Sequence, residues 1–430
     1  MQKTYKNFVF LALIVPCVAL VTLFILLYLY DSLQLFHKPF LRDETFFHDL
    51  RSQNPGIIKN YDFNSVILGT SMLENTLPKD ANKILQNLDS VISDNGGGGG
   101  NTYSQYNIEN ENLDSIKNST KDSNQNLQNI ESNHILDSKN PNNLQDSILD
   151  SIQSKNIFVN LSMWGSTLNE RNIVFSYLFK QKVIKNVITT LDWWVFHYEN
   201  DVSKFDFLYT NNFGEIFKMY FNEKTIKCAF LWEKSEPCVG KKFDIFNESI
   251  VSWMGDDSMK YFGGLQNFLK NKGNVAARNL REKPLEMGNI TKSNKFSQEL
   301  ATPFIKILES NPQTQFHIIL PTYPRLFWAL QGEIFFTTWQ ENIRFFLRHT
   351  RHLRNVRIYG LDDLNFADDI ANFKDIQHYS PQMNVLQLRA IATQSHILNT
   401  QNIESYFAKM QEKIKNYDVT AFLNAVENMP

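Results

Sequence analysis

Three short stretches of this 430-residue chain carry side chains whose types and spacing could do chemistry. Gly69-Thr70-Ser71-Met72 follows directly on an apolar run, Ser65-Val-Ile-Leu68. A serine placed there, with small residues before it, stands at the carboxyl end of a strand. It also opens a helix expected over 73–85 and shortened by Pro78, whose free N–H groups could face a developing negative charge. Ser162-Met-Trp-Gly165 ends a second apolar run, and a glycine N–H lets a substrate oxygen approach unobstructed. Asp375-Ile-Gln-His378 sets a carboxylate three residues before an imidazole, a spacing that lets the carboxylate orient the ring and stabilise its protonated form. Ser71 as nucleophile, His378 as general base, Asp375 as its partner, and the N–H groups of Ser71 and Gly165 as oxyanion donors make up the set that acyl transfer through a serine ester requires.

These residues need a rigid frame, and strand-like runs supply one. Besides 65–68, short runs rich in β-branched or aromatic residues occupy 157–161, 186–191, 315–320 and 355–359, each bounded by turn-formers. Helical patterns over 167–184 and 330–353 alternate with them. Near-continuous apolar strands interleaved with helices predict an α/β fold built on a parallel sheet covered on both faces. Ligands of such folds gather at the carboxyl ends of the strands, where all three stretches fall. Residues 200–300 are aromatic-rich and irregular and read as a cap inserted into this core. Residues 93–156 differ from all else: they hold 14 Asn, 10 Ser and a run of five glycines. Such a stretch cannot bury enough apolar surface to offset ordering entropy of about 1–2 kcal/mol per residue, so a disordered surface insertion is expected.

The first residues carry a different signal. Phe8–Tyr30 is 23 residues without a charge, long enough as a helix (roughly 35 Å) to cross a hydrocarbon core of about 30 Å. The expected organisation is a short cytoplasmic tail (1–7), one transmembrane helix (8–30), a membrane-proximal segment (31–60) and an α/β domain over 61–92 and 157–430. A long downstream domain translocates largely regardless of flanking charge, so the body is expected outside the cytoplasm, on a bacterial-type inner membrane. In an oxidising compartment Cys228 and Cys238, which enclose nine residues, could form a disulfide; two unpaired buried thiols is the other reading. A net charge of −2, from 43 basic and 45 acidic residues, gives no field that would draw nucleic acid. Three cysteines exclude a Cys-rich zinc module, and no P-loop or dinucleotide fingerprint is present. His349 and His352 lack a carboxylate to complete a metal set, so neither metal nor cofactor is expected.

A strand followed by Gly-x-Ser, a second-strand glycine and a late Asp-x-x-His resemble the SGNH (GDSL-like) hydrolase superfamily. The likeness is nearest to its membrane-anchored envelope O-acyltransferases and D-alanine transfer proteins, and covers about 61–92 and 154–395. It implies a three-layer α/β domain in which Ser71, His378 and Asp375 are catalytic and Ser71 and Gly165 form the oxyanion hole. It also implies an esterase or O-acyltransferase acting on an envelope polysaccharide or its acyl intermediate, with a polytopic membrane acyltransferase as a partner. Two departures stand out. Position 70 is Thr where the namesake motif has Asp. The family's third block, Gly-x-Asn-Asp, is replaced by Thr190-Leu-Asp192-Trp193-Trp194, and an ionised Asp192 cannot donate to an oxyanion. Asp192 and Trp193 are candidates to line the substrate pocket. The alternative is a catalytically silent domain of the same fold, serving envelope assembly or glycan binding.

Overall fold

A computed structural model describes residues 2–86, 155–196, 204–210, 212–249, 261–270 and 290–427. Residues 1–85 and 157–430 form one compact unit, and 86–156 count as a second. The insertion expected over 93–156 lies outside the described residues except at its last two positions.

The frame of the first unit is a single six-stranded sheet: β1 Ser65–Ile67, β2 Phe158–Asn160, β3 Asn186–Thr190, β4 Gln315–Leu320, β5 Val356–Gly360 and β6 Ile397–Leu398. Their spatial order is β2-β1-β3-β4-β5-β6, parallel throughout except β6, which runs antiparallel to β5. β1, β3 and all but the first residue of β4 are buried, as their unbroken apolar character demands. From β1 the chain steps to one side for β2 and then to the other for β3. Ligand crevices form at the carboxyl ends of strands where the order reverses in this way, here between β1 and β3.

Right-handed crossovers put the helix of the β1–β2 connection and those of the β2–β3, β3–β4 and β4–β5 connections on opposite faces. Packing agrees. Helices Leu168–Gln181, Ile290–Ser310 and Glu333–Thr350 lie against one another, whereas Pro78–Ile84 packs on Pro381–Thr393. Leu168–Gln181 starts at a capping box, with Thr167 accepting from the Glu170 N–H and Glu170 reaching back to the Thr167 N–H. The helix expected over 330–353 is two, Arg325–Gln331 and Glu333–Thr350, parted by Gly332 at φ 82°. Trp328 and Trp339 are buried in the aromatic core between them.

The N-terminal helix, Gln2–Tyr30, holds Pro16, and its Ala12–Tyr30 stretch is long and apolar enough to cross a membrane. Its exit is fastened to the domain. Arg42 donates to the Tyr30 and Asp31 carbonyls at 3.2 and 2.8 Å, Tyr220 donates to the Asp31 carboxylate, and the Tyr30 hydroxyl donates to the Glu233 carbonyl at 2.6 Å. Cys228 and Cys238 are joined by a disulfide in the same cluster.

Candidate active site at the carboxyl end of β1

Ser71 sits where β1 gives way to a one-turn helix, Ser71–Glu74. The longer helix expected over 73–85 is broken in two. Leu77, before Pro78, is held extended (φ −73°, ψ 129°), as a residue preceding proline is, and the second helix begins at Pro78. The turn carrying Ser71 is therefore short and needs holding from outside. Thr70 caps it, its hydroxyl accepting from the Met72 N–H at 3.3 Å and donating to Asp192 at 2.9 Å. Gly69 leaves room for its neighbours: a Cβ there would lie 2.8 Å from the Leu73 Cδ1 and 3.2 Å from the Thr190 hydroxyl, so the Leu73 side chain would have to shift.

At the other end of this turn Asn160, the last residue of β2, donates to the Leu73 and Thr76 carbonyls at 2.8 and 2.9 Å. The Met72 carbonyl accepts from the Tyr379 hydroxyl (2.8 Å) and from Asn384 (3.0 Å). Tyr379 immediately follows His378, so the segment bearing the imidazole is pinned to the turn bearing the serine. That segment folds back on itself, with Phe373 bridged to Tyr379 and the Lys374 N–H donating to the His378 carbonyl at 2.9 Å.

The three residues of the sequence motif meet. His378 Nε2 lies 2.9 Å from Ser71 Oγ, across 307 positions of chain. His378 Nδ1 lies 2.9 Å from both Asp375 oxygens, and Asp375 Oδ1 also accepts the Gln377 and His378 N–H groups at 2.9 Å. With Nδ1–H directed to Asp375, the Nε2 lone pair faces the serine hydroxyl, the tautomer a general base requires. Burial works against charge on both partners, but the pairing prevails. His378 is pushed up from its ordinary value by the Asp375 carboxylate, and the His378 cation with three N–H donors holds Asp375 well below the usual carboxylate range.

Gly165 lies in a turn closed by the Ser166 N–H on the Met163 carbonyl (3.1 Å). Its φ of +61° is left-handed, and nothing lies within 4 Å of where a Cβ would be. The Met163 N–H (3.0 Å) and the Ser166 hydroxyl (3.2 Å) both bind the Gly69 carbonyl, fixing this turn beside Ser71. Arg51 donates to the Trp164 carbonyl at 2.8 Å while paired with Glu170 and Asp49. Among the described residues the N–H groups of Ser71 and Gly165 meet no acceptor. A serine, an ordered base and two open N–H groups suit addition to an acyl carbonyl followed by collapse to a serine ester.

No protein family, curated protein or solved structure matches the chain.

The two pocket candidates differ in burial, Asp192 being enclosed and Trp193 half-buried. Asp192 is wholly buried, accepting from Thr70 and Thr190 (2.9 and 2.7 Å) with Arg171 at 3.9 Å, so it braces the turn from beneath and lines no open pocket. Trp193 packs on Phe327 and Phe335. The exposed aromatic by the site is instead Trp164. Residues without a sequence motif complete the site: Arg51, Asn160, Tyr379, Asn384 and Glu74. Glu74 is buried, neither carboxyl oxygen has a hydrogen-bond partner among the described residues, and it lies close enough to His378 to raise that ring's proton affinity. Burial pushes Glu74 up to about 7, against the pull of His378 and of the Trp164 N–H, which is near but outside hydrogen-bonding geometry. Asn160 alone left a trace in the sequence, as a polar residue ending an otherwise apolar strand. Among the described residues no group of His, Cys, Asp and Glu could hold a metal ion.

Proposed function

We propose that this chain is a membrane-anchored, SGNH-like serine enzyme that moves an acyl group through an ester on Ser71. The observation that carries the reading is the relay Asp375–His378–Ser71, each link at 2.9 Å. His378 takes the Ser71 proton as the hydroxyl attacks an acyl carbonyl, Asp375 steadies the imidazolium, and the oxyanion rests on the Ser71 and Gly165 N–H groups. His378 then returns the proton to the leaving oxygen. Water or a polysaccharide hydroxyl, deprotonated by the same imidazole, releases the acyl group and regenerates the serine. An anchor at the N-terminus and a disulfide favour a domain outside the cytoplasm, near envelope polysaccharide and a membrane-borne acyl donor. A polytopic acyltransferase is the partner that such a donor implies.

A second reading, a catalytically silent envelope assembly or glycan-binding domain, draws on one observation: Asp192, at the place of the third block, is committed to Thr70 and Thr190 and offers no third oxyanion donor. A fluorophosphonate probe separates the two. The full chain in detergent should label at Ser71, and labelling should vanish in Ser71→Ala and fall steeply in His378→Ala. A folded chain whose Ser71 stays unmodified overturns the acyl-transfer reading.

A further inference from the structure

The last two turns of the N-terminal helix are wrapped in rings. Phe24 stacks on Phe217 at 4.9 Å between centroids and meets Phe221 edge-on at 5.2 Å. The series continues from Phe217 to Phe213 (5.5 Å), to Phe36 (4.9 Å) and to Tyr28 (5.6 Å), then through His37 to Phe40 (5.1 and 4.9 Å). A packed aromatic series ordinarily faces inward. Here Phe24, Tyr28, Phe40, Phe213 and Phe221 are each between 41% and 61% exposed, and on the adjoining helix Phe230 reaches 77%. Contiguous outward apolar surface on this scale marks an interaction surface.

Helix length identifies what covers it. Phe8–Tyr30 would span roughly 35 Å, but the portion before Phe24 gives only about 24 Å, short of a hydrocarbon core of about 30 Å. The helix can cross a bilayer only if at least Phe24–Leu27 also lies at membrane depth. Phe24 is six residues before Tyr30, about 9 Å along the axis, and whatever touches Phe24 goes to that depth with it. The rings cannot lag behind in water, because Arg42, Tyr220 and the Tyr30 hydroxyl fasten the helix exit to the same cluster.

We propose that segments 36–41, 213–221 and 230–231 form a lipid-facing collar seated at the boundary between acyl chains and headgroups, with the bilayer itself as the partner. Rings at this depth have the apolar body and wet edge that membrane interfaces favour. The collar holds the α/β domain in one attitude to the membrane instead of leaving it on a swivelling tether. This does not depend on what Ser71 does.

Nitroxide accessibility in nanodiscs holding one chain each tests it. The lone free thiol, Cys17 in mid-helix, provides the lipid reference, and Lys415→Cys in a Cys17→Ser background provides the aqueous one. Labels at Phe213→Cys and Phe230→Cys, also in Cys17→Ser, should show an oxygen-to-nickel-chelate collision ratio several-fold above that at position 415. In the unsubstituted chain, lipids with a diazirine on the acyl chain should leave adducts within 213–231, a measurement free of any folding defect in the variants. Ratios equal to that at 415 while Cys17 reports lipid, shielding from both reagents, an aqueous Cys17, or no adducts would each overturn the collar.

Discussion

Replacing Glu74 by glutamine removes a titrating group while keeping its shape. In the folded chain this carboxyl is 4% exposed, and burial pushes it from an ordinary 4.5 up to about 7. The folded value lies above the unfolded one, so its contribution to stability is complete below the unfolded value and is lost as pH rises through the folded one. The gap corresponds to about 3 kcal/mol in all, of which about 1 is already lost near pH 5 and nearly all the rest by about pH 8.5. Glutamine carries none of this dependence. Relative to wild type, the variant should therefore gain about 2 kcal/mol between those two pH values, or roughly 4 °C in Tm at about 2 °C per kcal/mol for a domain of this size. The assay is thermal or denaturant unfolding of the full chain in detergent at each pH, wild type beside Glu74→Gln. Parallel pH dependences for the two proteins would refute the reasoning, since they require a carboxyl that ionises normally in the fold. Loss of the Glu74 charge should also lower the proton affinity of His378, moving the acid limb of Ser71 labelling to lower pH.

Asp375→Asn should leave the fold intact and cut the rate of fluorophosphonate labelling by about 10³–10⁴-fold, because the imidazole loses both its tautomer and its counter-charge. Without that counter-charge, whatever rate survives should rise at lower pH than in wild type. Asn160→Ala takes its donor from the Thr76 carbonyl, whereas the Leu73 carbonyl keeps the Thr76 N–H; leaving one such group unpaired costs about 1–3 kcal/mol, visible as a lower Tm together with slower labelling. Cys228→Ser with Cys238→Ser opens a loop closed across ten positions, worth up to about 3 kcal/mol by loop-closure entropy. That loss should appear in denaturant melts and be matched by reducing the wild-type chain.

The sheet was legible because buried parallel strands are apolar runs. Five of the six were readable to within a residue or so, and β6 escaped because two residues at an edge carry no pattern. Ser71, His378 and Asp375 were legible because strand-end and i,i+3 chemistry is local. Their supports were not. Arg51 reaches Glu170 across 119 positions and Asn384 reaches Met72 across 312, and no window on the sequence joins such pairs. Asp192 shows the limit most plainly. Its place after β3 suggested a pocket wall, but besides Thr190 of its own strand its carboxylate takes the Thr70 hydroxyl from beyond the neighbouring β1, a partner that only the sheet order supplies.

The grip of Tyr379 and Asn384 on the Met72 carbonyl has a bearing on biosynthesis. Ser71 leaves the ribosome 307 positions ahead of His378, and Tyr379 and Asn384 follow later still. Until residues 372–393 have emerged and docked, the serine has no imidazole beside it and its turn relies on Thr70 and Asn160. Under the proposed chemistry, a prematurely terminated polypeptide lacking that stretch would thus be inert, having no imidazole to take the serine proton.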